Sequence, residues 1–151
     1  ILLLFCIVAY YYFRNPIVAH KEAIPLDKHE EHDESSQFKI RLLVVNRSGK
    51  NLHHLRVVDK IPFLAHLTKS HSGVLQPHKT MTTEKKDTLL IWEIDGLDPY
   101  EERLITYSIK STLRLYGGIH LPPTKIKYEL KSGNEKKAYS NAVHVFSKRK
   151  E

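Results

Sequence analysis

From Phe38 to Phe146 the chain is a series of short stretches in which apolar and polar residues alternate, each closed by a turn signal. Alternation with a period of two gives a strand one face for a core and one for water, so this segment is committed to sheets. The punctuation is Asn46-Arg47-Ser48-Gly49, Val58-Asp59-Lys60-Ile61-Pro62, Leu97-Asp98-Pro99 and Tyr139-Ser140-Asn141. Asn, Asp and Ser bond their own backbone at turns, Gly tolerates positive φ, and Pro withholds a ladder donor.

The strands can be read individually. Phe38, Ile40, Leu42 and Val44 fall on one face, with Lys39 and Arg41 opposite; Leu43 and Val45 then make the second face apolar, predicting a strand that becomes covered on both sides. The turn at residues 46–51 and the run 52–58 predict a first hairpin. Residues 61–67 read as a turn and a short apolar segment, and 68–87 as polar, with Val74-Leu75 a short edge strand. In Thr88 to Ile94, Leu90, Trp92 and Ile94 share a face, and Trp92 is the natural core anchor. Ile105, Tyr107 and Ile109 should face inward, making Tyr107 a second anchor, as should Ile126, Tyr128 and Leu130. Residues 138–146 read as the last strand. About seven short strands predict an all-β, antiparallel two-sheet sandwich.

The N-terminal part differs. Ile1 to Phe13 is uncharged, and a helix of that length spans only about 20 Å of a hydrocarbon core about 30 Å thick. Without an initiator Met, it reads as the end of a longer, truncated transmembrane helix over residues 1–14. Tyr10-Tyr11-Tyr12-Phe13 would lie at headgroup depth and Pro16 would stop the helix. A signal peptide would show small residues before its cleavage site, which this stretch lacks. Residues 15–37 form a juxtamembrane segment and polar linker, 38–147 the sandwich and 148–151 a basic tail. Ile17 to Leu26 has strand character, with Pro25 restricting it to a sheet edge; Lys28 to Gln37 is a spacer setting the reach from the bilayer. Arg14, Lys21 and Lys28 follow the apolar end, which by the positive-inside rule favours the cytoplasmic side.

Catalytic chemistry finds little support. No Ser lies in a Gly-x-Ser-x-Gly elbow, and Gly117-Gly118 precedes no helix that could complete a phosphate cradle; it reads as a bend or bulge. In His29-Glu30-Glu31-His32 the histidines are three apart, unlike the His-Glu-x-x-His zinc pattern, and the surrounding linker has nothing to organise a second shell. His53-His54, as strand neighbours, would point to opposite faces. Asp59 and Asp98 should bond turn backbone rather than calcium. We therefore expect no catalytic residue, no cofactor and no metal. Cys6, the single cysteine, lies in the apolar run, so the sandwich has no disulfide. The net charge of +7 permits contact with anionic lipid or nucleic acid, but only Ser147-Lys148-Arg149-Lys150 is a dense cluster, and nucleic acid is the less favoured partner. Asn46-Arg47-Ser48 is a sequon, making Asn46 a candidate glycosylation site if the domain is extracytoplasmic.

The order of the motifs resembles the conserved-repeat, immunoglobulin-like β-sandwich domains of prokaryotic, especially archaeal, cell-envelope proteins, a family of unknown function. The resemblance rests on Asn46 with Ser48 and Gly49, Val57 with Asp59 and Pro62, Trp92 with Leu97, Pro99 and Glu101, then Tyr107 and Ser140-Asn141. Tyr100 departs from the pattern, standing where the family usually has glycine. What the resemblance implies is an immunoglobulin-like envelope module facing outward, without activity. Its partners would be membrane lipid, through the helix, and other envelope proteins or its own upstream domains. The alternative is an intracellular membrane-tethered module whose basic surface meets anionic lipid or nucleic acid.

Overall fold

The computed structural model describes residues 2–26, 36–68, 75–111 and 118–146. A helix, α1 (Leu2–Phe13), precedes strands β1 (Ile17–Leu26), β2 (Ser36–Asn46), β3 (Leu52–Ile61), β4 (Ala65–Leu67), β5 (Lys79–Thr82), β6 (Thr88–Leu97), β7 (Glu102–Ser111), β8 (Ile119–Leu121), β9 (Lys125–Glu129), β10 (Glu135–Tyr139) and β11 (Val143–Val145). One sheet has the order β1-β2-β7-β4 and a second β10-β9-β3-β6-β5, with β11 and β8 forming a short two-stranded piece. All pairings are antiparallel. Inward residues of the two larger sheets, Phe38, Ile40, Leu42, Leu55, Val57, Leu90, Trp92, Ile105 and Ile109 among them, make one buried cluster. The fold is therefore all-β and sandwich-like, and Trp92 and Tyr107 sit in its centre with ring centroids 5.9 Å apart.

Several expectations are corrected. The run 36–61 is not a hairpin: β2 pairs with β1 and β7, whereas β3 pairs with β6 and β9, so the turn at Asn46 carries the chain from one sheet to the other. Period two identifies a strand's buried face but not its neighbour. The sandwich also begins at Ile17 rather than Phe38, because β1 pairs along its whole length with β2 as the edge that Pro25 permits. The spacer Lys28 to Gln37 thus follows β1 and ends within β2, so it does not set a distance from the helix; its residues 28–35 lie outside the described ones. Eleven strands are described instead of about seven. Residues 138–146 are two strands, since Ser140–Ala142 leave the second sheet and β11 joins β8. The outer face of β2 stays half-buried at Leu43 and Val45. In the polar region the described edge strand is β5, while Leu75 packs against the core and its carbonyl accepts the Trp92 Nε1–H at 3.3 Å. Val74, Gly117, the motif from His29 to His32 and the basic tail lie outside the described residues.

Backbone strain explains two motifs. Tyr100 has φ 61°, in the left-handed region, which is why glycine would be the easier residue at this corner. Gly118 has φ 91°, and a Cβ there would fall 2.1 Å from the carbonyl oxygen of Val145, so neither the conformation nor the space admits a side chain. His54 has φ 47° within a register shift between His53 and Arg56; that bulge leaves both histidines exposed instead of on opposite faces.

Candidate functional site

On β1 the inward row is Ile17, Ala19, Lys21 and Ala23, and the small alanines leave room beside one long charged chain. Lys21 is fully buried. Its Nζ donates to Asp59 Oδ1 at 2.6 Å and to the Pro122 carbonyl at 2.6 Å. Asp59 is equally buried on β3, where Oδ1 also accepts the Lys60 N–H at 2.9 Å and Oδ2 accepts the Tyr107 hydroxyl at 2.6 Å. Asp59 is therefore not a turn residue but the hub joining β1, β3 and β7 across the two sheets. Burial first, and the Asp59 charge second, push the Tyr107 phenol well above the ordinary tyrosine value, so it remains a donor. An inward-pointing charge on an edge strand also deters that edge from pairing with another chain.

The outward edge of β1 is closed by Asn141. Its Oδ1 accepts the Lys21 N–H at 2.8 Å and its Nδ2 donates to the Lys21 carbonyl at 2.9 Å, so one carboxamide imitates a neighbouring strand. The break between β10 and β11 places it there.

Asn46 anchors the opposite corner. It is wholly buried; its Nδ2 donates to Lys50 O at 2.8 Å, Asp98 O at 2.9 Å and Leu97 O at 3.3 Å, while Oδ1 accepts from Ser48 N and Oγ. The candidate glycosylation at Asn46 is thus at odds with the fold, because a glycan on Nδ2 would take one of its two protons from these carbonyls and enter the interior. Asn46→Ala strands these backbone groups and should cost about 1–3 kcal/mol, read by urea unfolding; a loss under about 0.5 kcal/mol would show that water replaces the carboxamide freely.

Two carboxylates should shape the acid limit. Lys60 at 2.8 Å, with the Phe63 N–H, holds Asp87 below the usual aspartate value; the Asp98 N–H, with Arg103, does the same for Glu101. A depressed folded-state value gives stability that is present above the unfolded carboxylate range and lost as pH falls through the folded one. The melting temperature should therefore drop below the ordinary carboxylate range, and less steeply in Asp87→Asn. An unchanged slope in that variant would remove Asp87 from the account.

A second arrangement joins helix to sandwich. Asn15 Oδ1 accepts the Ile17 N–H at 3.0 Å and the Tyr128 hydroxyl at 2.7 Å, and its Nδ2 donates to Lys137 O at 3.2 Å. Arg47 donates from Nε to Asn15 O at 2.7 Å and from its backbone N to Pro16 O at 2.9 Å. The junction is pinned to β9, β10 and the Asn46 corner within three residues of α1. An open groove of about 330 Å³ lies on the second sheet among His54, Arg56, Glu93, Asp95, Lys127 and Glu135, its Lys127 paired with Glu135 at 3.1 Å. Among the described residues no three His, Cys, Asp or Glu side chains gather to hold a metal ion. Sequence reading singled out Trp92, Tyr107, Asp59 and Asn46 but not Lys21 or Asn15; the available signal was one charge in an inward row of β1.

No protein-family model and no curated protein sequence matches the chain. Among solved structures, an inactive mutant of the GH20 exo-β-N-acetylglucosaminidase of Vibrio harveyi is similar, with TM-score 0.55 and 12% identity over 89% of this chain and 19% of that one. The same enzyme in complex with N-acetylglucosamine gives TM-score 0.51 at 10% identity, again over 89% and 19%. The chain thus spans about a fifth of that enzyme's length, and the likeness is one of fold alone.

Proposed function

We propose that this chain is a membrane-anchored, non-enzymatic immunoglobulin-like module of the cell envelope, working through protein contacts. The observation that carries the reading is α1: it is apolar on every side and exposes most of Leu2, Leu3, Leu4, Phe5, Val8 and Tyr10. A helix with no polar face calls for an apolar surrounding. No helix among the described residues is long and apolar enough to cross a membrane; the proposal is that α1 inserts its apolar surface into the bilayer. The pinned Asn15 junction then orients the sandwich at the surface. A contact face is available on the outer side of the first sheet, where Val18 pairs with Val45 and Leu43 with Leu104, and Val18 and Leu104 are exposed. An extracytoplasmic position and the archaeal envelope resemblance belong to the same reading.

The test is flotation with neutral phosphatidylcholine vesicles. The chain should float, at low and high salt alike, and Leu4→Lys/Val8→Lys should not; a wild-type chain that stays at the bottom would sink the anchoring. Protease that leaves the sandwich uncut on intact cells would overturn the outward orientation. One observation favours a second reading: exposed Lys136 and Lys137 on edge strand β10 lie beside the helix exit, where they could meet anionic headgroups. That reading requires binding to anionic vesicles that salt abolishes.

A further inference from the structure

We propose that Lys21 and Asp59 condense spontaneously into an intramolecular amide, covalently joining the two sheets. The inference stands apart from membrane anchoring. An amine and a carboxyl group are held at 2.6 Å between Nζ and Oδ1, both with fully buried side chains. Neither has freedom to leave: Pro122 O fixes Nζ at 2.6 Å, the Lys60 N–H fixes Oδ1 at 2.9 Å, and Asn141 clamps the Lys21 backbone on both sides. Such positioning raises effective concentration to about 10⁵ M or beyond, which converts a disfavoured bimolecular condensation into an accessible unimolecular one.

The step balances without a co-reactant. One Nζ proton passes to Oδ1 along their hydrogen bond. The freed Nζ lone pair attacks Asp59 Cγ, and charge develops on Oδ2, where the Tyr107 hydroxyl at 2.6 Å donates to it. A second Nζ proton follows to Oδ1, the Cγ–Oδ1 bond breaks, and one water leaves. An ammonium and a carboxylate become a neutral amide, which ends the desolvation cost of two buried charges. Tyr107 keeps its proton because burial and Asp59 hold its phenol well above the ordinary value.

The experiment is intact mass spectrometry of the full chain purified in detergent, followed by proteolysis and fragment sequencing. The expected result is a mass lower by one water, with a branched peptide joining the segments that carry Lys21 and Asp59. Asp59→Ala and Lys21→Arg should retain the full calculated mass. These readouts do not require a variant to fold, because the wild-type mass alone decides. A folded wild-type chain that keeps its full mass after prolonged incubation overturns the proposal, as does a water loss mapped to any other pair. Tyr107→Phe should slow the loss about a hundredfold or more; an unchanged rate would overturn the role given to Tyr107.

Discussion

Asp59→Ala should lower the unfolding free energy by about 3–5 kcal/mol, the range found when one partner of a buried ion pair is removed. The loss comes from what is left behind. Lys21 Nζ stays in the interior with Pro122 O as its remaining partner from the network, and the Tyr107 hydroxyl loses its acceptor. Lys21→Met/Asp59→Leu removes both charges together and should recover most of that cost, since well-packed apolar replacements of buried ion pairs are often neutral or better. If the amide has formed, the single substitution also deletes a cross-link spanning 38 positions, which by loop-closure entropy adds about 4 kcal/mol that the double variant does not recover. Urea unfolding of all three chains separates these contributions. An Asp59→Ala loss below about 1 kcal/mol would show that water reaches Lys21 and that the network is not sealed.

Trp92→Ala should cost about 3–5 kcal/mol through the cavity it leaves. The indole is almost completely buried, lies 5.9 Å from the Tyr107 ring and donates to Leu75 O at 3.3 Å, so the substitution also frees the contact that fastens Leu75 to the core. Trp92→Phe keeps most of the volume and should cost clearly less, with the difference between the two variants reporting packing. A Trp92→Ala change under about 1 kcal/mol would place Trp92 at the periphery and contradict the inward face of β6. Because Tyr107 carries both the Trp92 contact and the Asp59 bond, Trp92→Ala and Asp59→Ala should not be additive.

The inward faces were legible because burial follows a period of two. Phe38, Ile40, Leu42 and Val44, then Ile105, Tyr107 and Ile109, lie in the core as their alternation required. The left-handed backbone at Tyr100 was not legible from the residues themselves: only the resemblance marked that position, as one where glycine is usual. The hairpin expected across Asn46 failed because a turn between two strands looks the same whether the second strand returns beside the first or crosses to the other sheet. Here Asn46 is buried, binding Lys50, Leu97 and Asp98 carbonyls, which fixes the crossing and is at odds with a glycan on its side chain.

Lys21 shows the same limit. By itself it counted as one more basic residue after an apolar segment, and Asp59 as one more turn aspartate. They lie 38 positions apart, and Tyr107 another 48 beyond Asp59. Local sequence determined that this chain forms antiparallel strands with one buried face, where most turns fall, and that its start is apolar on every side. Which strands pair, and that an edge-strand lysine meets an aspartate of the opposite sheet inside a sealed core, was decided only by the tertiary structure. Alternation is a property of neighbouring residues, whereas an ion pair between sheets exists only once long-range packing has removed the water between them.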